Sequence, residues 1–210
     1  MVTVIVIGLL SAVAAPQFST KMKDRRANAA AQEVAMFYRT ARSRAAGRGG
    51  AQMVRFTAAG GPIGKGELRM YEAVQRDGQG NAADEGNYQG SCGQLPVASC
   101  TTQIVWETGA ADNQNAVANA RLVTIYPEPT SLYNNLEHKL YSSGGQEQGF
   151  ADICFAPSGR SFYRTDPAGA WTPLASVPYV EVTRLDTAGV AVGIKRRILL
   201  LPNGSARLVL

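Results

Sequence analysis

Between Gln17 and Ala46 the chain contains neither glycine nor proline, and upstream of that stretch no charge occurs before Lys21. Alanine is abundant there, which suits a continuous helix. Met22, Ala29, Ala30, Val34, Phe37, Tyr38, Ala41 and Ala45 recur at steps of three and four and form one apolar stripe. Lys21, Lys23, Arg25, Arg39, Arg42 and Arg44 fall largely on the other sides, and Gly47, Gly49 and Gly50 supply the stop. Ahead of this, only Thr3, Gly8 and Ser11 interrupt the aliphatic run from Val2 to Ala15. The reading is one N-terminal helix, apolar all round for its first third and amphipathic for the rest, with a kink near Pro16. A globular core has no place for such a helix as a buried first element. The apolar third is therefore a membrane or filament-core segment or an export signal.

Composition sharpens this. Residues 1–50 carry eight Lys/Arg against two Asp/Glu, whereas the rest carries 13 against 14. The positive excess thus sits on one segment, and net charge alone does not argue for nucleic acid as a partner. The run is slightly short of the roughly 20 apolar residues that a spanning helix needs. Ala12-Val13-Ala14 fits a small-x-small cleavage pattern, but no basic segment stands in front of the apolar core.

The stretch MVTVIVIGLLSAVAAPQF, followed by an amphipathic helix and a glycine-rich β body, resembles the N-terminus of type IV pilins and type II secretion pseudopilins. The resemblance implies a basic leader removed by a prepilin peptidase. It also implies a Phe-Thr-Leu-Ile-Glu-Leu-like opening ahead of Met1, which would extend the apolar run to about 21 residues, a spanning length. Val2, Val4, Ile5, Val6, Ile7, Leu9, Leu10 and Val13, with Pro16, are then the membrane and filament-core residues. Lys21, Lys23, Arg25 and Arg26 on their own would hold the body on the cytoplasmic side; in the family the basic leader counters this. The implied setting is the bacterial inner membrane, crossed once, with the body in the periplasm or outside the cell and later in a pilus or pseudopilus. Other pilin subunits are the implied partners.

Residues 51–210 read as the body, after a core segment at 1–20 and an amphipathic segment at 21–50. β-like runs occur at 52–57, 67–74, 103–107, 121–126, 152–156, 160–164 and 179–184. A final hairpin, VAVGIKRRILLLPNGSARLVL, turns at Asn203-Gly204. The fold class is α+β, a long helix packed on antiparallel sheets. Phe155-Ala156-Pro157-Ser158-Gly159 and Pro202-Asn203-Gly204 resemble the paired hairpin elements of the minor pseudopilin H and FimT-type branch.

No catalytic residue, cofactor site or metal site is expected. His138, the one histidine, has no motif around it in NNLEHKLYSS and reads as a surface residue. Asp77, Gln79, Asn81 and Glu85 alternate as in a calcium loop, but Tyr88 stands where the bidentate glutamate belongs, and the loop reads as solvated. Cys92 and Cys100 are the candidate disulfide, conditional on export, and Cys154 reads as a buried strand residue. With a two-residue turn, Leu200 faces Arg207, so Arg196 and Arg207 share one face of the last hairpin and Lys195 and Arg197 the other. These four cations are the candidate DNA or anion contact, against a preferred reading as charges that blunt a sheet edge. Assembly subunit, pilin-like DNA receptor, and secreted protein cleaved near Ala14 are the three functions carried forward, in that order.

Overall fold

The structure, a computed structural model, describes residues 2–58, 65–73, 97–101, 120–127 and 135–209, with side chains from Lys21 on except that of Arg121. Among the described residues one helix, α1 (Val2–Arg48), precedes eleven strands: β1 (Gln52–Thr57), β2 (Glu67–Ala73), β3 (Ala120–Tyr126), β4 (Leu136–Tyr141), β5 (Glu147–Gln148), β6 (Phe150–Phe155), β7 (Ser161–Arg164), β8 (Thr172–Pro173), β9 (Tyr179–Leu185), β10 (Ala191–Leu200) and β11 (Ala206–Val209). They form two antiparallel sheets, one in the order β3-β2-β1-β6-β7-β8 and the other in the order β11-β10-β9-β4-β5. The class is α+β, dominated by its strands. The expected run at 103–107 lies outside the described residues, and β4, β5 and β8 were not expected. Pro16 falls within the assigned helix.

The helix face that meets the sheets is small. Ala27, Ala30, Ala31, Val34, Tyr38, Ala41 and Ala45 are fully buried, and the alanines let the sheets approach the helix closely. Opposite them lie Val54, Phe56, Met70, Ile153 and Phe155 of the first sheet and Leu140, Val180, Val182, Ile198 and Leu200 of the second, all in one cluster. Met22, expected in the stripe, is 41% exposed. It lies about two turns before Ala29, on the outward edge of the helix.

Polar contacts fix the helix along its length. The Arg196 guanidinium donates to the Asp24 carbonyl at 3.0 Å. Arg39 donates through Nε and Nη2 to the Ala206 carbonyl at 3.0 and 2.8 Å. Near the C-terminal end, Glu72 of β2 meets Arg48 at 2.9 Å. The strand β10 therefore runs alongside the helix in the same direction.

Four hairpins share one turn. In Ser142–Gln146, Ala156–Arg160, Asp186–Val190 and Leu201–Ser205, the first residue's N–H meets the fifth residue's carbonyl, and the fourth residue's N–H returns to the first carbonyl. The fourth residue is always glycine at positive φ, between 76° and 83°. This is the three-residue loop with a left-handed glycine, not the two-residue turn expected around Asn203-Gly204. The one-residue difference changes the register: Leu200 faces Ala206 and Leu199 faces Arg207. Gly204 also closes the gap between the sheets, since a Cβ there would come within 2.6 Å of Ser161 Oγ and 3.0 Å of the Phe155 ring. Gly204→Ala is expected to cost about 2 kcal/mol from the left-handed φ and this contact together, read as a lower denaturant midpoint at unchanged m-value.

Candidate functional site

Alternation along β1, β6 and β7 sends one set of side chains to the helix and the other to the far face of the first sheet. On that far face Arg55, Asp152 and Arg164 stand side by side through the pairs Arg55↔Asp152 and Asp152↔Arg164. Arg55 forks onto both carboxylate oxygens at 2.8 and 2.9 Å, and Arg164 Nε donates to Oδ2 at 2.8 Å. Arg55 also lies 4.9 Å from the Phe150 ring centre and Arg164 4.4 Å from that of Trp171. Desolvation lowers the Arg164 pKa, and Asp152 opposes the shift. Arg55 and Asp152 are wholly buried, so the centre holds strands together and presents no group to a ligand.

The same face carries a second apolar cluster, with Met53, Tyr71, Ala73, Cys100 and Cys154 at its middle. Cys100 is bonded to Cys154, with Cα atoms 5.9 Å apart. The expected pairing of Cys100 with Cys92 is therefore wrong, because Cys100 already has its partner; Cys92 lies outside the described residues. Cys154 is a buried strand residue, as expected, and cross-strand neighbours place it beside Met53. The calcium-like loop at 77–87 also lies outside the described residues. Among the described residues no group of His, Cys, Asp or Glu is placed to hold a metal ion.

His138 is a second correction. It points inward from β4 between Leu136 and Leu140, 3% exposed, with its ring edge-on to Tyr126 at 5.4 Å. Desolvation lowers its pKa to about 4, and the nearby Lys65 carbonyl offsets this only in part. The unfolded chain, with a histidine pKa near 6.5, then binds the extra proton first, so stability is full above pH 6.5 and falls as the pH drops towards 4. The loss should be on the order of 3 kcal/mol. His138→Leu should flatten that part of the pH–stability curve relative to the parent in urea titrations.

The last hairpin does not form one cationic face. Arg196 turns to the helix and is 6% exposed. Lys195 and Arg197 both turn outward onto Glu181, at 2.8 and 3.2 Å. Arg197 also stacks over Tyr179 at 5.0 Å. Arg207 shares their face through its pairing with Leu199, so the expected grouping of Arg196 with Arg207 is wrong. Sequence reasoning missed Glu181, whose alternation with Tyr179 along YVEVTR put it on that face.

Where the helix leaves the body, Lys21, Asp24, Arg25, Asn28, Ala29 and Gln32 face Ile194 and Arg196 of β10 across an open groove of about 650 Å³. Arg184 approaches Asp24 at 3.7 Å. Val190 and Ile194, on the adjoining hairpin, are 58% and 62% exposed. Of the expected core residues, Val2 to Val13 and Pro16 lie in the helix ahead of the described side chains. From Lys21 on, no helix is long and apolar enough to cross a membrane.

No protein-family model, curated protein or solved structure matches this chain. The functional reading therefore rests on the residues themselves.

Proposed function

We propose that the chain is a minor pilin or pseudopilin, of the pseudopilin H and FimT-like branch, acting through assembly rather than catalysis. One observation carries this reading. One helix runs from Val2 to Arg48, Arg196 and Arg184 of the body hold it at Asp24, and the stretch before Lys21 is uncharged and aliphatic from Val2 to Ala15 apart from Thr3, Gly8 and Ser11. In this reading the long helix lies in the inner membrane first. It then leaves lipid for a filament core of equivalent helices, where close packing replaces lipid contacts, while the body faces outward. The Cys100–Cys154 bridge supports a body on the oxidising side of that membrane.

The test expresses the chain from its own upstream reading frame in a cell that assembles such filaments, and follows it into the membrane and sheared-filament fractions. Ile7→Lys should remove it from both, because a lysine at the centre of a spanning helix costs about 3 kcal/mol on insertion scales. A soluble periplasmic protein whose N-terminus is Ala15 would overturn the reading in favour of a secreted protein. The DNA-receptor reading loses ground because three of the four hairpin cations already serve Glu181 and the Asp24 carbonyl.

A further inference from the structure

The groove at the helix exit is open, and the hairpin beside it exposes Val190 and Ile194. The β9–β10 turn, Asp186–Val190, lies beyond the level of Asp24 toward the N-terminal side of the helix, because β10 runs parallel to the helix from Arg196 at Asp24 to the Ala206 turn at Arg39. At 1.5 Å per residue, Lys21 stands about 5 Å and Arg25 about 10 Å past Phe18 along the axis. A leaflet's headgroup layer is about 5–7 Å thick. If the membrane segment ends at Phe18, the groove opens at the level of the lipid phosphates, and long cationic side chains reach them easily.

The lining suits that ligand. Lys21, Arg25 and Arg196 face a single acid, Asp24, whose carboxylate is already turned toward Arg184. Arg196, 6% exposed, lines the groove with its Nε unbonded, although its two terminal nitrogens are held by the Ile194 and Asp24 carbonyls. Beside these cations Val190 and Ile194 expose aliphatic side chains, the pairing of charge and apolar surface that a headgroup–acyl boundary accepts.

The geometry points to a phospholipid headgroup site: a lipid phosphate sits in the groove between the helix start and β10, and the tip of the β9–β10 hairpin rests in the membrane interface. The body is thereby held against the bilayer in one orientation, in addition to the helix that crosses it. This rests on the reading of residues 2–18 as a membrane segment.

The test places the full chain in vesicles of phosphatidylglycerol and phosphatidylcholine brominated either just below the headgroup or deep in the acyl chain. Tryptophan fluorescence is read for Ile194→Trp, Arg207→Trp and Val6→Trp against the parent. The expected result is deep quenching at position 6, shallow quenching at 194 and none at 207. Adding Lys21→Gln and Arg25→Gln should remove most of the quenching at 194, since each cation near an anionic surface contributes about 1 kcal/mol, roughly thirtyfold for the two together. Quenching at 6 with none at 194 would overturn the headgroup site and leave the anchor standing. No quenching at 6 would overturn both. In neutral detergent, inorganic phosphate that shifts the Ile194→Trp emission, with no quenching at 194 in vesicles, would mark a free-anion site and overturn the lipid assignment.

Discussion

Asp152→Asn is expected to lower the unfolding free energy by about 3–5 kcal/mol, since it removes the carboxylate from a buried ion cluster and leaves the charged partners in place. Both guanidiniums bonded to that carboxylate sit on the far face of the first sheet, Arg55 at 0% exposure and Arg164 at 5%. The physical claim is that mismatch, not loss of charge as such, is what destabilises. The triple variant Arg55→Met, Asp152→Leu, Arg164→Met should therefore regain most of the lost stability, as apolar replacements of whole buried ion clusters do. Guanidinium titrations of the three proteins decide it: an Asp152→Asn variant within about 1 kcal/mol of the parent would show that the cluster is not the source of stability assigned to it.

Reducing the Cys100–Cys154 bridge should cost about 4 kcal/mol, the chain-entropy value for a link spanning 54 residues. The bridge ties the segment 97–101 to β6 in the middle of the sheet, where Val97 also exchanges backbone hydrogen bonds with Ala51 and Ala73. Cys100→Ala with Cys154→Ala should lower stability as much as reduction does, and Cys92→Ala should leave the Cys100–Cys154 bridge in place. A non-reducing peptide map that joins Cys92 to Cys100 would refute the assignment.

How far the chain can be read without coordinates depends on what each residue's neighbours are. The run QMVRFT is legible as β1 because it is a short, partly apolar stretch with Val, Phe and Thr that follows the glycines ending the helix. LEHKLY alternates, with Leu136, His138 and Leu140 turned inward, yet a histidine in the middle of the pattern reads as polar and hides the strand. The disulfide was misread because Cys92 is near Cys100 in sequence, whereas the true partner is brought close by strand pairing across 54 residues. The Arg55–Asp152–Arg164 row has the same origin: its members come from three strands, and their register exists only once the sheet does. The hairpin cations were individually visible, and their grouping failed on one residue of turn length. The helix face was legible because its periodicity is local, apart from Met22 at the outward edge.

The first sheet has a packed apolar cluster on each side, one shared with the helix and one beneath the segment that carries Cys100. Substitutions in clusters separated by a sheet should add in their effects on stability, with little coupling between them. The outer cluster can then change residue by residue while the seat of the helix stays the same.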